Sequence, residues 1–428
     1  MIIEITRREC GWLRSTEGWL LVYGRRKTGK TWLLRRCLDW DLYATVTRMG
    51  ECVVDTGDSL SVVSLGECVK VILGRLRGGG SAVVLDEFQR LPERYWDLIA
   101  ASSGVGEGRL VLCGSSLGIS RRVLSPRSPL LGLLAPFPVG LASFSDTLAS
   151  LAAHLPPRET VLWAVLARDP WIIPHVDLSR EPWEELAFKA KWLSMAAEGL
   201  LGEVFLEEER SLTRAYEAAL RVLASGEWRL NVIAQVLHSA GLLASPAPSA
   251  VTGVVNVLEE VGLVEKIPLW RTRGARAYYR HSSSAVALLI YAEEKYLSAG
   301  VEPRGEDLRP RVAIEAQFAV GELLAELKGL MRTYTLTPEG DLDIVLLDGS
   351  GRPVIAYEVK LGPASDRELR RSAELAARLG VPEFGVVSLA ERPEAGWLDE
   401  AYGPEDLVEA ARKVSERYLK RVNRAQGL

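Results

Sequence analysis

Short runs of apolar residues, each ending in polar or glycine residues, predict buried strands in the first third of the chain. The runs are WLLVY at 19–23, AVVL at 82–85 and LVLC at 110–113. Four or five consecutive apolar residues without polar alternation are typical of strands that are buried on both faces. Helical patterns such as WLLRRCLDW at 32–40 separate these runs. This alternation predicts a parallel sheet with flanking helices.

The middle of the chain has a different pattern. Residues 141–225 carry Leu, Ala, Trp and Glu at spacings of three to four, which predicts helices that are punctuated by prolines. Helical stretches at 212–224, 230–240 and 248–261 are followed by apolar strand patterns at 263–270 and 276–280. Three helices and a β-hairpin in this order predict a winged helix, which is a helix-turn-helix variant.

The last third begins with a Pro-, Arg- and Glu-rich stretch at 301–311, which predicts a linker. An amphipathic helix is predicted from Ile314, and strands are predicted at 341–347 and 354–360 around a Gly/Ser turn. We therefore expect four modules, with bounds at 1–140, 141–210, 211–300 and 301–428.

A glycine-rich loop lies between the first apolar run and the helical pattern. It fits GxxxxGK[ST] from Gly24 to Thr31. Glycines let successive backbone N–H groups point at phosphate oxygens, and the following helix adds the positive end of its dipole. In such a loop the lysine reaches the β- and γ-phosphates, and the hydroxyl binds Mg²⁺. We predict that the following residues bind ATP: Gly24, Arg25, Arg26, Lys27, Thr28, Gly29, Lys30, Thr31 and Trp32. In addition, Lys30 is predicted to be catalytic and Thr31 to bind the metal.

Polar residues end the second and third apolar runs. Asp86, at the carboxyl end of its strand, is placed to bind Mg²⁺ directly or through water. Glu87 is placed to polarise the attacking water as a general base. The third run ends in Ser115 and Ser116, and a polar residue there senses the γ-phosphate in this topology; a plain strand-to-turn transition is the alternative. Of these two serines, we predict that Ser115 contacts the nucleotide.

Charged residues alternate along the two predicted C-terminal strands. Alternate residues of a strand share a face, so Asp341 and Asp343 point the same way, as do Glu358 and Lys360. A hairpin brings Asp343 beside Glu358. Two carboxylates can hold Mg²⁺, and a neighbouring lysine can orient or deprotonate an attacking water. We predict a metal-dependent site for phosphodiester cleavage with Asp343 and Glu358 as metal ligands and Lys360 as the third catalytic residue; a solvated charged hairpin is the alternative.

The hairpin of the predicted winged helix is basic. In a DNA-binding module, the third helix would face the major groove through Ser249, Thr252 and Asn256. Phosphates would be contacted by the arginines of the wing, which are Arg271, Arg273, Arg276 and Arg280. The third helix has no Arg or Lys and ends with two glutamates, so a protein-docking module is an equal alternative.

Composition changes this picture in one respect. A net charge of −4 argues against a protein that coats nucleic acid, but residues 1–140 alone carry 19 basic and 14 acidic residues. The positive excess lies where phosphate is predicted to bind. The 41 Arg against 11 Lys, with three Asn and four Gln, fit a thermophile or a GC-rich genome.

Cysteine usage and hydropathy bear on the compartment. No CxxC pair occurs and the number of cysteines is odd: Cys10, Cys37, Cys52, Cys68 and Cys113. We therefore expect neither a disulfide framework nor a zinc site, and a reducing cytoplasm. The first residues do not resemble a signal peptide, and the most apolar window, 129–142, is too short and proline-rich to span a bilayer. We predict a cytoplasmic protein with no membrane partner.

Four ordered motifs carry a family resemblance. YGRRKTGKT, VVLDEFQRLP, LCGSSLGI and SPLLG follow one another within 23–132, and ITRREC at 5–10 places Arg8 and Glu9 before the first strand. Together they resemble the archaeal P-loop ATPases of the AAA-like, signal-transduction (STAND) branch over about residues 4–140. The resemblance implies ATP binding and hydrolysis, with a helical lid beside the nucleotide.

One departure from that family bears on turnover. The family usually carries an arginine just after SPLxG, where this chain has Leu133 and Leu134. The resemblance therefore implies slow hydrolysis, an arginine from a partner, or a substitute from nearby in sequence, such as Arg121, Arg122 or Arg127.

The C-terminal constellation has a resemblance of its own. Asp343, Glu358 and Lys360 match the triad of the PD-(D/E)xK nuclease superfamily, and Glu315 resembles the extra acid that the first helix often supplies. Archaeal ATPases of the family named above often carry such a domain.

The predicted architecture is an α/β P-loop NTPase domain with a helical lid, a winged helix and a C-terminal α/β restriction-endonuclease-like domain. We expect an ATPase that needs Mg²⁺ and acts as a nucleotide-driven switch between ATP and ADP, on DNA through the winged helix and the nuclease-like tail. The alternative is a nucleotide-switched scaffold for a protein partner or for self-association, with little turnover and an inactive nuclease-like domain.

Overall fold

The computed structural model describes residues 3–78, 80, 82–104, 106–115, 117–207, 213–362 and 365–425. The chain divides into two compact units. The N-terminal unit comprises Arg7–Gly140, Leu200–Ser211 and Leu419–Leu428, and the C-terminal unit comprises Met1–Thr6, Leu141–Gly199 and Leu212–Tyr418. Ser81, Ser116 and the predicted module boundary at 210–211 lie outside the described residues.

The N-terminal unit is an α/β fold, built on a sheet with helices on both faces. Its strands are β1 (Leu20–Tyr23), β2 (Trp40–Val46), β3 (Glu51–Asp55), β4 (Leu60–Ser64), β5 (Ala82–Asp86), β6 (Arg109–Gly114) and β7 (Ala135–Pro138). Its helices are α1 (Glu9–Ser15), α2 (Lys30–Cys37), α3 (Leu65–Gly78), α4 (Trp96–Ala101) and α5 (Leu117–Val123). The strand order is β4-β3-β2-β5-β6-β1-β7.

Burial explains why the three apolar runs form the central strands. Every residue of β5 is buried, because α3 and α4 pack on one face of the sheet while α1 and α2 pack on the other. Strands β1, β2, β5, β6 and β7 pair in parallel. The carboxyl ends of parallel strands meet at one edge of the sheet, where the predicted site residues follow β1, β5 and β6.

The sheet is mixed rather than wholly parallel. Strands β3 and β4 form an antiparallel hairpin that pairs with β2. Residues 51–55 of β3 alternate between buried and more exposed positions, the pattern of an antiparallel strand with one solvated face. Neither strand of this hairpin is a continuous apolar run, so the apolar pattern of the sequence does not predict it.

The cysteines correct a prediction. Cys10 is disulfide-bonded to Cys37 and Cys52 to Cys68, which links α1 to α2 and β3 to α3, whereas Cys113 is a buried free thiol. The expectation of no disulfides was wrong because it used spacing and an odd count, whereas pairing depends on Cα separations, here 5.1 and 6.1 Å.

The C-terminal unit contains helices, two sheets and most of the last three predicted modules. Its helices are α6 (Phe144–Leu151), α7 (Pro157–Ala167), the first part of α8 (Pro182–Glu207), α9 (Arg214–Ala224), α10 (Leu230–Ser239), α11 (Pro248–Glu260), α12 (Ser284–Lys295), α13 (Gly305–Lys328), α14 (Asp366–Arg378) and α15 (Pro404–Ala425) up to Tyr418. Its strands are β8 (Val264–Pro268), β9 (Ala277–His281), β10 (Met331–Thr337), β11 (Gly340–Leu347), β12 (Pro353–Lys360), β13 (Glu383–Ser388) and β14 (Glu400–Tyr402).

Helices α9, α10 and α11 and the β8–β9 hairpin occur in winged-helix order. The three helices contact one another, α11 packs against β8, and α9 packs against β9. The hairpin register pairs Val264 with His281 and Pro268 with Ala277. These elements match the three helices and two strands predicted for this stretch to within a few residues.

The predicted linker at 301–311 is wrong for most of its length. Helix α13 begins at Gly305 and continues to Lys328, with Pro310 inside it. A capping interaction starts the helix: the Arg304 backbone N–H donates to the Asp307 carboxylate at 2.9 Å. The Pro/Arg/Glu composition favoured a linker, but the cap and a buried apolar face, including Leu308 and Val312, favour the helix.

The second sheet has the order β10-β11-β12-β13-β14. Strands β10, β11 and β12 are antiparallel, and β12, β13 and β14 are parallel. Helix α14 covers an apolar cluster on this sheet through Leu369, Leu375 and Ala376. Within the described ranges, no helix is long and apolar enough to cross a bilayer.

Candidate functional site

The glycine-rich loop connects β1 to α2 and requires both of its glycines. Gly24 has φ +153°, and a Cβ there would lie 2.1 Å from the Val139 carbonyl oxygen. Gly29 has φ +89° immediately before the first turn of α2. Only glycine adopts such backbone angles without strain, so these two residues set the path of the loop.

Lys30 folds back over the loop that precedes it. Its ammonium group donates to the carbonyl oxygens of Gly24 and Arg25, at 2.8 Å each. Burial lowers the pKa of Lys30, while Asp86 and Glu87 are among the groups that oppose this shift. A cation held in the loop by neutral carbonyls is placed to exchange them for phosphate oxygens, which are stronger acceptors.

Thr31 and Asp86, the two predicted metal ligands of this unit, are in contact. The Thr31 hydroxyl lies 2.8 Å from Asp86 Oδ2, and the Tyr43 hydroxyl donates to the same oxygen at 2.7 Å. Burial and Asp86 raise the pKa of Tyr43, so Tyr43 remains a donor. A hydroxyl and a carboxylate are oxygen ligands of the kind Mg²⁺ prefers, so these residues fit the metal.

Glu87 follows Asp86 in a left-handed conformation, with φ +56°. Such a backbone angle is uncommon for a residue with a side chain and concentrates at functional sites. Arg90 lies 2.8 Å from the Glu87 carboxylate, and Gln89 Nε2 donates to it at 2.9 Å. The candidate base is therefore held by two neighbours on its own turn.

Ser115 is connected to this carboxylate through Gln89. The Gln89 amide nitrogen donates to Ser115 Oγ at 2.8 Å as well as to Glu87. Ser115 is buried at the end of β6. The structure thus brings three of the predicted residues, Asp86, Glu87 and Ser115, to one edge of the sheet.

The remaining loop residues take supporting positions. Arg25 and Thr28 are buried, and the Thr28 hydroxyl donates to the Arg25 carbonyl at 2.9 Å. Lys27 has φ +64°, and Trp32 packs on the α1–α2 side of the core.

Three residues that were not predicted from the sequence also hold the site. Arg7 donates to the Thr28 carbonyl at 2.7 Å and to the Gly140 carbonyl at 3.1 Å. Tyr43 reaches Asp86 from β2, and Gln89 links Glu87 to Ser115. Gln89 lies within VVLDEFQRLP and Arg7 within ITRREC, so these two left a sequence signal, whereas Tyr43 lies in no recognised motif.

The C-terminal triad also comes together. Register in the β11–β12 hairpin pairs Ile344 with Tyr357, which puts Asp343 next to Glu358. Asp343 Oδ2 accepts from the Val359 backbone N–H at 2.8 Å, and Lys360 Nζ lies 2.7 Å from Glu358 Oε1. Glu358 Oε2 is buried and has no hydrogen-bond partner.

Charge repulsion marks this cluster. Burial first, and then the neighbouring Glu358 carboxylate, raises the pKa of Asp343 to about 7. Glu358 Oε2, which has no hydrogen-bond partner, lies beside Asp343, whose pKa is raised. Two such carboxylates fit the ligand set of a cation. In the described part of the chain, no three His, Cys, Asp or Glu residues cluster as a metal site.

Glu315 does not join the triad. Its carboxylate forms an ion pair with the buried Arg280 and accepts from the Ser284 hydroxyl at 2.7 Å. The implied role of Glu315 as an extra nuclease acid is therefore wrong: the charge of Arg280 holds it at the α13–β9 contact.

The wing arginines divide into two groups. Arg271, Arg273 and Arg276 are exposed, and Arg271 stacks on Trp270 at 4.9 Å. Arg280 is only 4% exposed and lies 2.7 Å from Glu265, so it is not available to contact a DNA phosphate as predicted. On α11, Ser249 and Asn256 are exposed and Thr252 is half-buried.

No protein-family model matches the chain, and no curated protein matches it. Among solved structures, the chain is similar to the ORC1 protein of Aeropyrum pernix in complex with DNA, with 16% identity, a TM-score of 0.29 and coverage of 70% of this chain and 95% of that one. It is also similar to the ORC2 protein of Aeropyrum pernix, with 14% identity, a TM-score of 0.35 and coverage of 71% and 89%.

A third similar structure is a signal transduction ATPase with numerous domains from Pyrococcus horikoshii, which carries a tetratricopeptide repeat sensor. Identity is 14%, the TM-score is 0.31, and the match covers 77% of this chain and 46% of that one. At such low TM-scores, the chemistry of this chain is inferred from its own loop, strands and side chains.

Proposed function

We propose that the N-terminal unit binds ATP with Mg²⁺ and hydrolyses it, and that the chain acts as a nucleotide-driven switch. The observation that carries this proposal is the assembly of Lys30, Thr31, Asp86 and Glu87 around one loop, with Thr31 and Asp86 2.8 Å apart. Four side chains from two separate motifs converge on the edge of the sheet where a phosphate-binding loop opens.

Each residue has a role in this proposal. Lys30 exchanges the Gly24 and Arg25 carbonyls for phosphate oxygens, while the loop N–H groups cradle the phosphates. Thr31 and Asp86 would hold Mg²⁺, which neutralises charge on the phosphates when bound. Glu87 orients and polarises the attacking water, and Gln89 connects it to Ser115.

Glu87→Gln separates hydrolysis from binding. The amide keeps the size of the side chain but cannot accept a proton, so we expect turnover to fall by about 10²-fold or more while ATP affinity stays within about threefold. Phosphate release and nucleotide titration measure the two quantities. Loss of binding in this variant, or full turnover, would contradict the role of Glu87.

A scaffold that retains ATP remains the alternative, and the leucines after Gly132 favour it. Single-turnover kinetics distinguish the two functions. Retained ATP with negligible phosphate release in the wild-type chain supports the scaffold.

A second function is favoured by the unpartnered Glu358 Oε2 beside Asp343. We propose metal-dependent cleavage of DNA by Asp343, Glu358 and Lys360. Cleavage of duplex DNA with Mg²⁺ or Mn²⁺ should be lost in Asp343→Ala and kept in Asp348→Ala, which removes a carboxylate from the turn of the same hairpin. If the wild-type chain cleaves no duplex DNA, the proposed nuclease activity is contradicted.

DNA contact through the wing is supported by three exposed arginines on one turn. An Arg271→Ala, Arg273→Ala, Arg276→Ala triple variant should bind duplex more weakly and reduce the salt slope by about 2–3. Arg304→Ala, an exposed arginine outside the wing, serves as the control. Undiminished binding by the triple variant would exclude the wing.

A further inference from the structure

Arg26 lies in the phosphate-binding loop with its guanidinium group between two carboxylates. Its Nε donates to Glu203 Oε2 at 2.7 Å, and its Nη1 is 3.9 Å from Glu87 Oε1. The Arg26 side chain is only 18% exposed. One end of this guanidinium therefore faces Glu87, the candidate general base.

Glu203 belongs to α8, in the last turns that are part of the N-terminal unit. Its carboxylate is 37% exposed and also lies 3.6 Å from Arg48. A half-exposed carboxylate is a weak competitor for a guanidinium compared with a phosphate, which carries more negative charge. The Arg26–Glu203 pair is thus exchangeable when a phosphate approaches.

Charge that develops on a transferred phosphate is commonly stabilised by an arginine side chain. Of the nearby candidates, Arg122 is paired with Glu93 at 2.7 Å and lies over Trp96. Arg26 is part of the phosphate-binding loop itself, and its guanidinium already lies 3.9 Å from the Glu87 carboxylate. No other element has to move for Arg26 to reach the site.

We propose that Arg26 is the catalytic arginine of this ATPase and that Glu203 is its counter-ion when no γ-phosphate is bound. On ATP binding, the guanidinium exchanges Glu203 for γ-phosphate oxygens and stabilises the charge that develops there during hydrolysis. ADP lacks that phosphate, so Arg26 returns to Glu203. The end of α8 is therefore released by ATP and held with ADP. This proposal rests on the proposed ATPase function.

Arg26→Ala tests the catalytic role in the full-length chain. Turnover should fall by about 10²-fold or more, and affinity for a slowly hydrolysed ATP analogue should fall, while ADP affinity stays within about threefold. Arg26→Lys keeps the charge but not the planar fork, and should recover only part of the rate. Wild-type turnover in Arg26→Ala, or an equal loss for ADP and ATP, would overturn the proposal.

Glu203→Gln tests the exchange and remains informative if Arg26→Ala does not fold. Removing the competing charge should tighten binding of the ATP analogue by about two- to fivefold relative to the wild type. ADP should bind as in the wild type or more weakly. A purely structural pair predicts the opposite, a loss of affinity for both nucleotides. Arg48→Ala, which removes only the outer partner of Glu203, should stay within about twofold of wild type.

Hydrogen exchange provides a readout of α8. Amides of residues 200–207 should exchange faster with the ATP analogue than with ADP, and this difference should vanish in Arg26→Ala. An equal rate with both nucleotides in the wild type would refute the release of α8. Lys30→Ala separates the hypotheses: full turnover there refutes the ATPase itself, whereas its loss alongside wild-type turnover in Arg26→Ala refutes only the role of Arg26.

Discussion

At the scale of single residues, a close backbone approach decides the shape of the phosphate-binding loop. Gly24 lies against Val139, at the end of β7, and leaves no room for a methyl group. The loop turns there because its first residue has no side chain, and Lys30 then reaches back to the Gly24 carbonyl. The sequence identifies Gly24 as a motif position, and the structure shows that Val139 is the neighbour that requires a glycine there.

Gly24→Ala should lower the free energy of unfolding by about 2–4 kcal/mol and abolish nucleotide binding, since the Cβ meets Val139 and φ is +153°. Gly18→Ala is the matched control, with φ +81° and no atom within 4 Å, and should lower it by only about 1 kcal/mol. Denaturant titration measures both. Equal effects would show that the contact with Val139 is unimportant.

At the scale of elements, a buried charge network joins the wing hairpin to the C-terminal sheet. Arg280 on β9 pairs with Glu265 on β8 and Glu315 on α13, and Arg332 on β10 lies 2.5 Å from Glu265. Burial alone would raise the pKa of Glu265, but Arg280 and Arg332 lower it to about 2. The network makes Arg280 structural rather than DNA-binding.

Glu315→Ala should destabilise the C-terminal unit by about 3 kcal/mol, because it leaves the buried Arg280 without one of its two counter-ions. Glu306→Ala, on the exposed first turn of the same helix, should change stability by less than about 0.5 kcal/mol. Urea unfolding of the two variants decides the matter. A neutral Glu315→Ala would mean that Glu265 alone satisfies Arg280.

The same unit carries a pH-dependent group. Burial lowers the pKa of His281 from 6.5 to about 4. Between these values the unfolded chain binds more protons, so the free energy of unfolding should fall by up to about 3 kcal/mol as pH drops from 6.5 to 4. His281→Gln, which can still donate to the Leu220 carbonyl, should flatten that slope, and His238→Gln should not. An unchanged slope in His281→Gln would contradict this assignment.

At the scale of the whole molecule, sequence predicted what is local and missed what depends on neighbours. The phosphate-binding loop, the Asp86–Glu87 pair and the winged-helix elements each occupy one continuous stretch of sequence. Their local patterns were therefore sufficient to predict them. Arg7, Tyr43 and the disulfides act across strands and helices far apart in sequence. The first part of the helix at 305–328, before the predicted start at Ile314, was missed because its cap, not its composition, decides where it begins.

At the scale of the whole molecule, the net charge hides an uneven distribution of charge along the chain. The −4 of the chain combines a basic first 140 residues with acidic later segments. Part of that acidity is internal to the C-terminal unit, where Glu265 and Glu315 neutralise the buried Arg280. Net charge therefore says little about DNA, and the exposed wing arginines are the relevant feature.

Steady-state hydrolysis of ATP with Mg²⁺ by the wild type and Lys30→Ala tests the central claim most directly. The wild type should release phosphate, and Lys30→Ala should release it at least about 100-fold more slowly, since its ammonium no longer contacts the phosphates. Lys70→Ala, an exposed lysine on α3, should hydrolyse ATP at the wild-type rate. Equal phosphate release by the wild type and Lys30→Ala would contradict the assignment of this loop.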